Sequence, residues 1–200
     1  MSSLLTRTTT IFERLSTSLD GELVLPSDPT WDEARTAWNL AVDQRPAAVV
    51  LAASAADVSK TIQIARSAGL RVAPQGTGHG ATPLGDLSDT ILLRTTRMRG
   101  VSVDPKRRTA RVEAGVLWQD VTDAAAEHGL AALAGSSHDV GVVGYTLGGG
   151  ISWLARKYGL SSNAVLAAEI VDAEGKERRL DYEHDPELFW AIRGGGGAFA

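Results

Sequence analysis

Gln75-Gly76-Thr77-Gly78-His79-Gly80-Ala81 follows directly on the apolar run Leu70-Arg71-Val72-Ala73-Pro74. Glycines at 76, 78 and 80 permit positive φ and close backbone approach, so a turn of this kind leaving a strand closes its N–H groups on a phosphate. His79 sits at the centre of that turn. It is a nucleophilic imidazole with no evident packing purpose. The turn therefore points to a phosphorylated ligand, and the histidine to something held beside the phosphate. It is not the dinucleotide pattern G-x-G-x-x-G, because the glycines are spaced by two and Leu92-Leu93-Arg94 stands where an acidic ribose ligand is required. A phosphate loop of the Gly-Lys-Ser/Thr kind is excluded as well.

The chain has 21 glycines, clustered at 76–80, at six positions between Gly135 and Gly150, and at Gly194 to Gly197. Two explanations stand: three stretches of backbone that approach one ligand closely, or three flexible loops.

Elements that position these residues can be read from periodicity and caps. A short helix is expected around Ile11 to Ser18, and a second over Trp31 to Val42, from the spacing of Trp31, Ala34, Trp38 and Ala41. Asp28 with Pro29, or else Thr30, would start the second helix, and Arg45-Pro46 would end it. Ala47 to Leu51 reads as a strand. Ser54 to Asp57 reads as a capping box opening a helix whose apolar face is Val58, Ile62, Ile64 and Ala65; Gly69 closes it, and the next strand begins at Arg71. This β-α-β unit puts the glycine turn at the carboxyl end of its second strand, where α/β sheets hold ligands. Short strands follow at Thr90 to Leu93, Gly100 to Val103 and Thr109 to Glu113. A helix is expected from Leu117 to His128, the glycine-rich stretch 135–150 as loop, and a short helix from Ile151 to Tyr158. A hairpin of Ala167 to Asp172 and Lys176 to Leu180 turns at Glu174-Gly175, and a final helix starts at Asp185-Pro186. The sequence stops just after four glycines, which predicts that a strand continues beyond Ala200.

Composition narrows the function classes. A net charge of -4 with no basic cluster argues against nucleic acid as a partner. The absence of cysteine removes disulfides and thiolate chemistry, and no metal site is expected. The polar N-terminus lacks a signal-peptide core, and no apolar run is of bilayer-spanning length. A cytoplasmic protein without membrane association is expected.

Taken in order, four strings make the sequence resemble the N-terminal FAD-binding part of the vanillyl-alcohol-oxidase/PCMH superfamily, and more narrowly the berberine-bridge-enzyme-like oxidases. They are Trp38-Asn39 with Arg45-Pro46-Ala47-Ala48-Val49-Val50; Gly76 to Gly80; Val140 to Gly150 followed by Leu154-Ala-Arg-Lys-Tyr-Gly-Leu160; and Asp185-Pro186-Glu187-Leu188-Phe189-Trp190 through Gly197. The resemblance implies an α+β fold, a PCMH-type FAD-binding domain of two small α/β lobes. Residues 1–34 would be a leader and helix, 35–97 lobe one and 98–200 lobe two; the substrate domain that follows in relatives has no counterpart.

By the same resemblance, Gly76, Thr77, Gly78, His79, Gly80 and Ala81 would carry the FAD diphosphate. Gly135, Ser136, Ser137, Val140, Gly141, Val143, Gly144, Tyr145, Gly149, Gly150 and Ile151 would line the ribityl chain and ring, with Thr146 beside them. Ile170 and Val171 either lie against the adenine or are ordinary buried strand residues. His79 matches the histidine that bonds the flavin 8α carbon in related oxidases; alternatively it only hydrogen-bonds a phosphate or ribityl group. Ser137 stands where some relatives have a second, cysteinyl link, so one bond is expected. His138 is either a site residue or a solvent-facing one. Trp153 and Trp190 read as core. The implied activity is oxidation of a C–H next to an alcohol or amine of a small molecule, with hydride transfer to FAD and reoxidation by O2. A flavin-binding module without turnover is the alternative, and a cofactor-free remnant a weaker one. The catalytic base stays unassigned, since Tyr145, Tyr158 and Tyr182 all fall in the flavin-binding part.

Overall fold

The computed structural model describes residues 11–199. The expected leader thus falls partly outside the described residues. These residues divide into two compact units, one of those up to 97 with 171–177, the other of 98–170 with those from 178 on.

In the first unit, helix α1 occupies residues 11–18 and leads into strand β1 (Glu22–Val24). A four-stranded sheet has the order β1-β2-β4-β3, with β2 at Ala48–Leu51, β3 at Arg71–Gln75 and β4 at Thr90–Arg94. β1 runs antiparallel to β2, while β2 and β3 each pair parallel with β4, in the registers Ala48 with Ile91 and Arg71 with Thr90. So the expected β-α-β unit exists, but β4 lies between its two strands. Its run Thr90 to Arg94 is buried throughout, as a strand enclosed on both sides must be.

The expected helix from Trp31 to Val42 is shorter in the structure. Helix α2 covers only Trp31–Arg35, with Thr30 at its N-cap. Asp28 instead accepts from the Leu25 N–H at 2.7 Å. Thr36 turns extended (φ -69°, ψ 125°) because the buried Arg94 guanidinium donates to the carbonyls of Ala34 and Thr36, both at 3.0 Å. A helix continuing through 42 would need those carbonyls for itself. Tertiary demand outweighs the apolar spacing here.

Helix α3 (Ala55–Ala68) starts at Ser54, whose side chain accepts from the Asp57 N–H, and stops at Gly69 in the left-handed conformation, φ 71°. The buried face carries Asp57, Thr61, Ile64 and Ala65; Val58 and Ile62 are only half-buried. The fully buried Asp57 carboxylate accepts from the backbone N–H groups of Asp20, Gly21 and Ala53 at 2.9–3.0 Å, tying the segment after α1 to the start of α3. Val24, Ala34, Val49, Ala73, Leu87 and Leu92 form the core of this unit.

In the second unit, β5 (Val101–Asp104) and β6 (Thr109–Val112) form an antiparallel hairpin, and Asp104 accepts from Lys106 and Arg107 N–H in the turn. Helix α4 (Trp118–Ala126) follows, and Gly129 closes its end at φ 66°. Val116, Trp118, Val121 and Val142 make a core there. The glycine-rich stretch is not all loop: Val142–Leu147 forms helix α5, with α6 shortened to Ala155–Tyr158. Strands β7 (Ala168–Val171) and β8 (Glu177–Leu180) pair with each other. Helix α7 (Pro186–Gly195) is capped by Asp185, which accepts from the Leu188 N–H at 3.2 Å, and kinks at Arg193-Gly194. Phe189 and Ile192 pack with Leu180 in a second core.

Candidate functional site

The turn after β3 is built from three sides. Gln75, its last strand residue, is buried and exchanges amide hydrogen bonds of 2.9 and 3.0 Å with buried Gln44. Gly78 has φ 86°, and a Cβ there would lie 2.8 Å from the Cβ of Ala37. The backbone N–H of Trp38 donates to the Thr77 carbonyl at 2.9 Å. So Gly78 is glycine because the segment 36–38 packs down on it. Gly80 differs: a Cβ there would meet nothing within 4 Å. Ala81 is buried and starts the short 3-10 turn Thr82–Leu84.

His79 is held on two sides within this turn. The indole of Trp38 stacks on its imidazole, with centroids 3.9 Å apart and planes 14° from parallel. The Thr77 hydroxyl shares a 2.7 Å hydrogen bond with Nδ1. The stack fixes the plane of the ring, and the hydrogen bond fixes its rotation within that plane. Trp38 itself is 55% exposed although so closely engaged. Treating it as one position of a helical stripe misses its role. The local signal is an aromatic residue just before the Asn39 turn, whose side chain accepts from the Ala41 N–H at 3.2 Å. Sequence reasoning does not find Arg94 either; a charged residue ending an apolar strand is the only sign of it.

In the second unit the candidate residues arrange around Tyr145. Its ring packs edge-on to Trp118, with centroids 5.4 Å apart. A Cβ at Gly135 would fall 2.9 Å from the Tyr145 ring, and one at Gly150 only 2.5 Å from it and 2.8 Å from Ser161. Gly150 also has φ 70°, and Gly149 φ 108°. Burial pushes the Tyr145 phenol above its usual range, offset in part by the Ser161 hydroxyl. The side chain of Tyr145 thus belongs to the core, and Gly135 and Gly150 make room for it. Gly144 is exposed and open: a methyl group there would meet nothing within 4 Å. The Thr146 hydroxyl is buried and has no hydrogen-bond partner.

The remaining candidates fall into distinct surroundings. Val140 and Gly141 anchor the loop through backbone bonds to α4: Trp118 N–H donates to Val140 O at 3.0 Å, and Leu117 bridges Gly141. Val143 is half-buried in α5. Ser136, Ser137 and His138 are exposed, and the Ser137 hydroxyl donates to Asp139 at 2.5 Å. Ile151 is exposed; Ile170 is half-buried against the Leu180–Phe189–Ile192 core, and Val171 is half-buried. Trp153 and Trp190 depart from the expectation of core residues, at 83% and 75% exposed. A shallow depression lined by Pro186, Glu187, Trp190 and Ala191 contains none of the candidate cofactor residues. Among the described residues no group of three His, Asp or Glu side chains is placed to hold a metal, and no helix is long and apolar enough to cross a membrane.

Within the first unit an oriented imidazole stands on a glycine turn at a strand end, with open space beside Gly80; within the second, Gly144 is open and the buried Thr146 hydroxyl has no hydrogen-bond partner. Residues 46–181 match the family described as FAD binding domain, and the chain belongs to that family. It is 35% identical over 182 residues to (R)-6-hydroxynicotine oxidase of Paenarthrobacter nicotinovorans, covering 91% of this chain and 40% of that one. Its structure is similar to glucooligosaccharide oxidase of Acremonium strictum, a protein whose FAD is described as 6-S-cysteinyl, 8α-N1-histidyl (TM-score 0.86, 32% identity, 95% of this chain and 40% of that). It is also similar to berberine-bridge-enzyme-like protein 1 of Physcomitrella patens (TM-score 0.85, 26% identity, 92% and 40%). The chain spans about two-fifths of the length of these relatives. The fold is the mixed α/β architecture of PCMH-type FAD-binding domains, as the four sequence strings implied.

Proposed function

We propose that this chain is the cofactor-binding part of an FAD-dependent oxidase that removes hydride from a C–H next to an alcohol or amine of a small molecule, with O2 as acceptor and FAD bound covalently through His79. The observation that carries the reading is His79, presented on a glycine turn at the carboxyl end of β3 with its ring oriented by Trp38 and Thr77. The likeness to oxidases supports the redox class.

Gly76 to Ala81 would hold the diphosphate by backbone N–H groups, as glycine-rich turns do. Gly144 would leave room for the ribityl and ring portion, and the Thr146 hydroxyl would gain the partner it lacks. When bound, the flavin supplies the hydride acceptor and the protein supplies orientation and electrostatics. His79 would keep the cofactor from dissociating. Imidazole suits that task because its neutral form is nucleophilic near neutral pH, where a lysine is charged. Ser137, whose hydroxyl is tied to Asp139, offers no thiolate for a second bond, so a single link is proposed. The substrate contacts and the base would come from the length of such proteins that this match does not cover. A cytoplasmic location is part of the same proposal.

The test is flavin fluorescence in an acid-soaked denaturing gel of the protein loaded with FAD. A fluorescent band that disappears in His79→Ala supports the link. A band that persists in His79→Ala places the bond elsewhere, and a wild-type lane without one rules it out. Oxygen consumption by the full-length protein against sugars, alcohols and amines then tests the oxidase reading; no uptake with any of them leaves flavin binding without turnover.

A further inference from the structure

The proposed bond needs a histidine presented in one orientation, and free imidazole on an exposed loop turns about two side-chain torsions. Three observations bear on how that freedom is removed. The Trp38 ring covers one face of His79 at 3.9 Å, nearly parallel. The Thr77 hydroxyl meets Nδ1 at 2.7 Å. The segment that carries Trp38 is itself fixed, by Arg94 bonds to the Ala34 and Thr36 carbonyls and by the Trp38 N–H bond to Thr77.

We propose that Trp38 and Thr77 are positioning residues for His79, the indole setting the plane of the imidazole and the threonine hydroxyl its rotation in that plane, so that the ring is ready to bond the flavin. The proposal rests on the reading of His79 as the covalent anchor. The step it serves breaks one C–H of the 8-methyl group and the imidazole N–H and forms one N–C bond. It leaves two electrons and two protons on the flavin, which O2 takes away as H2O2. His79 contributes the nitrogen. Trp38 lies against the ring face and forms none of these bonds, and Thr77 meets the ring only through its hydrogen bond to Nδ1. Their contribution is orientation, and fixing a reacting pair near its attack geometry is a large share of intramolecular rate enhancement.

Neither residue is explained as well by stability alone. An indole buried for packing would not be more than half exposed, and the hydroxyl of Thr77 bonds a ring that is itself only half-buried. Aromatic stacking of this kind adds little beyond its buried area, enough to order a side chain but not to hold a fold.

The experiment uses the full chain prepared without flavin and then given FAD. Covalent incorporation is followed as acid-precipitable flavin against time, with reversible FAD affinity measured separately by fluorescence titration. Trp38→Ala and Thr77→Val are expected to slow incorporation by about tenfold when each is compared with wild type at saturating FAD, roughly the effect of 1.4 kcal/mol on a barrier; the separately measured affinities set the saturating concentration for each variant. Trp38→Phe keeps a stacking face and Thr77→Ser keeps the hydroxyl, so both should recover most of the rate. Equal rates in wild type, Trp38→Ala and Thr77→Val overturn the proposal. If Trp38→Ala does not fold, the near-isosteric Thr77→Val carries the test alone.

A second readout needs no flavin. In the apoprotein, the ring protons of His79 should be shifted upfield by the indole, whereas His128, His138 and His184 are all exposed. Trp38→Ala should return the His79 signals to the positions of the other three, and Thr77→Val should change its nitrogen shifts. Should wild type bind FAD without ever forming the bond, the anchor reading fails; the upfield His79 signals then show the clamp standing without it. His79 signals that coincide with those of the exposed histidines overturn the clamp itself.

Discussion

Gly150→Ala and Gly144→Ala are the same chemical change in one glycine-rich stretch, and the structure assigns them opposite outcomes. At Gly150, φ is 70° and the new methyl carbon would lie 2.5 Å from Cε1 of Tyr145 and 2.8 Å from Cβ of Ser161. A left-handed conformation costs an L-residue about 1–2 kcal/mol, and forcing a methyl into a packed interior about 1–3 kcal/mol more. Together they make about 2–5 kcal/mol, a large part of the roughly 5–15 kcal/mol that keeps a domain folded. With a urea dependence of about 2–3 kcal/mol per molar for a chain of this size, the unfolding midpoint of the flavin-free chain should drop by about 1–2 M. At Gly144 a methyl meets nothing within 4 Å, and the residue lies inside helix α5. Alanine in a helix is about 0.5–1 kcal/mol better than glycine, so the flavin-free chain should be as stable or slightly more so. If the open space beside it takes the flavin as proposed, its reversible FAD affinity should nevertheless fall by about tenfold, a penalty of about 1.4 kcal/mol. Urea titration of both apoproteins and fluorescence titration with FAD give all four values. If apo Gly150→Ala unfolds with wild type, Tyr145 does not claim that glycine. If Gly144→Ala binds FAD normally, the open space beside it is not a ligand's.

Other expectations follow from buried polar groups and from the surface. Arg94→Met strips the partner from the Ala34 and Thr36 carbonyls, and a buried group left without a hydrogen bond costs about 1–3 kcal/mol; urea unfolding should show that loss, and the His79 ring signals should broaden as the Trp38 segment loosens. Asp57→Asn presents a donor to backbone N–H groups that need an acceptor, so it should destabilise by about 2–4 kcal/mol in the same assay. The Asp181 carboxyl is held below the usual carboxylate range, first by the His184 imidazole and then by the Glu183 and His184 N–H groups and Arg179. Because its folded value is depressed, its contribution is complete above the unfolded value of about 3.9 and is lost as pH falls through the folded one. The stability difference between wild type and Asp181→Asn should therefore shrink steadily below about pH 4; a difference that grows in acid would contradict this. Ile151, Trp153, Leu154, Tyr158 and Leu160 are exposed within one short segment, so Ile151→Ser with Trp153→Ser should reduce dye binding and self-association of the chain in size-exclusion chromatography.

What can be read from sequence divides along physical lines. Strands β2, β4, β5 and β6, helix α3 with its Ser54 start and Gly69 stop, and the turn after β3 are legible because local rules govern them: caps, apolar runs and glycine at positive φ. Helix α2 reads too long because its continuation beyond Arg35 is overridden from Arg94, 58 residues from Thr36, which no local pattern announces. Helix α5 escapes notice for the opposite reason: glycines at 141, 144 and 148 lower helical preference, yet Val142 is drawn into the core by Val116 and Trp118. For the site, residue type finds His79 and the glycines, but spacing cannot tell which glycines face a ligand. Gly78, Gly135 and Gly150 meet the chain's own side chains, whereas Gly80 and Gly144 face open space.

Two kinds of glycine are therefore interleaved in these turns. One kind shapes the backbone before any ligand arrives, by admitting Ala37 beside Gly78 and Tyr145 beside Gly135 and Gly150. The other, Gly80 and Gly144, faces open space. The first unit adds a further level, since the sheet sets Gln75 opposite Arg94. Gln75 begins the turn, and Arg94 fixes the segment that brings Trp38 to His79. A buried cation is costly unless it is hydrogen-bonded, and burial lowers the pKa of Arg94 for that reason. An apolar residue would fill the position at less cost, but it could not take up the Ala34 and Thr36 carbonyls. The burial of Arg94 is therefore explained by orientation: it ends α2 early, and the residues released from that helix become one wall of the histidine's site.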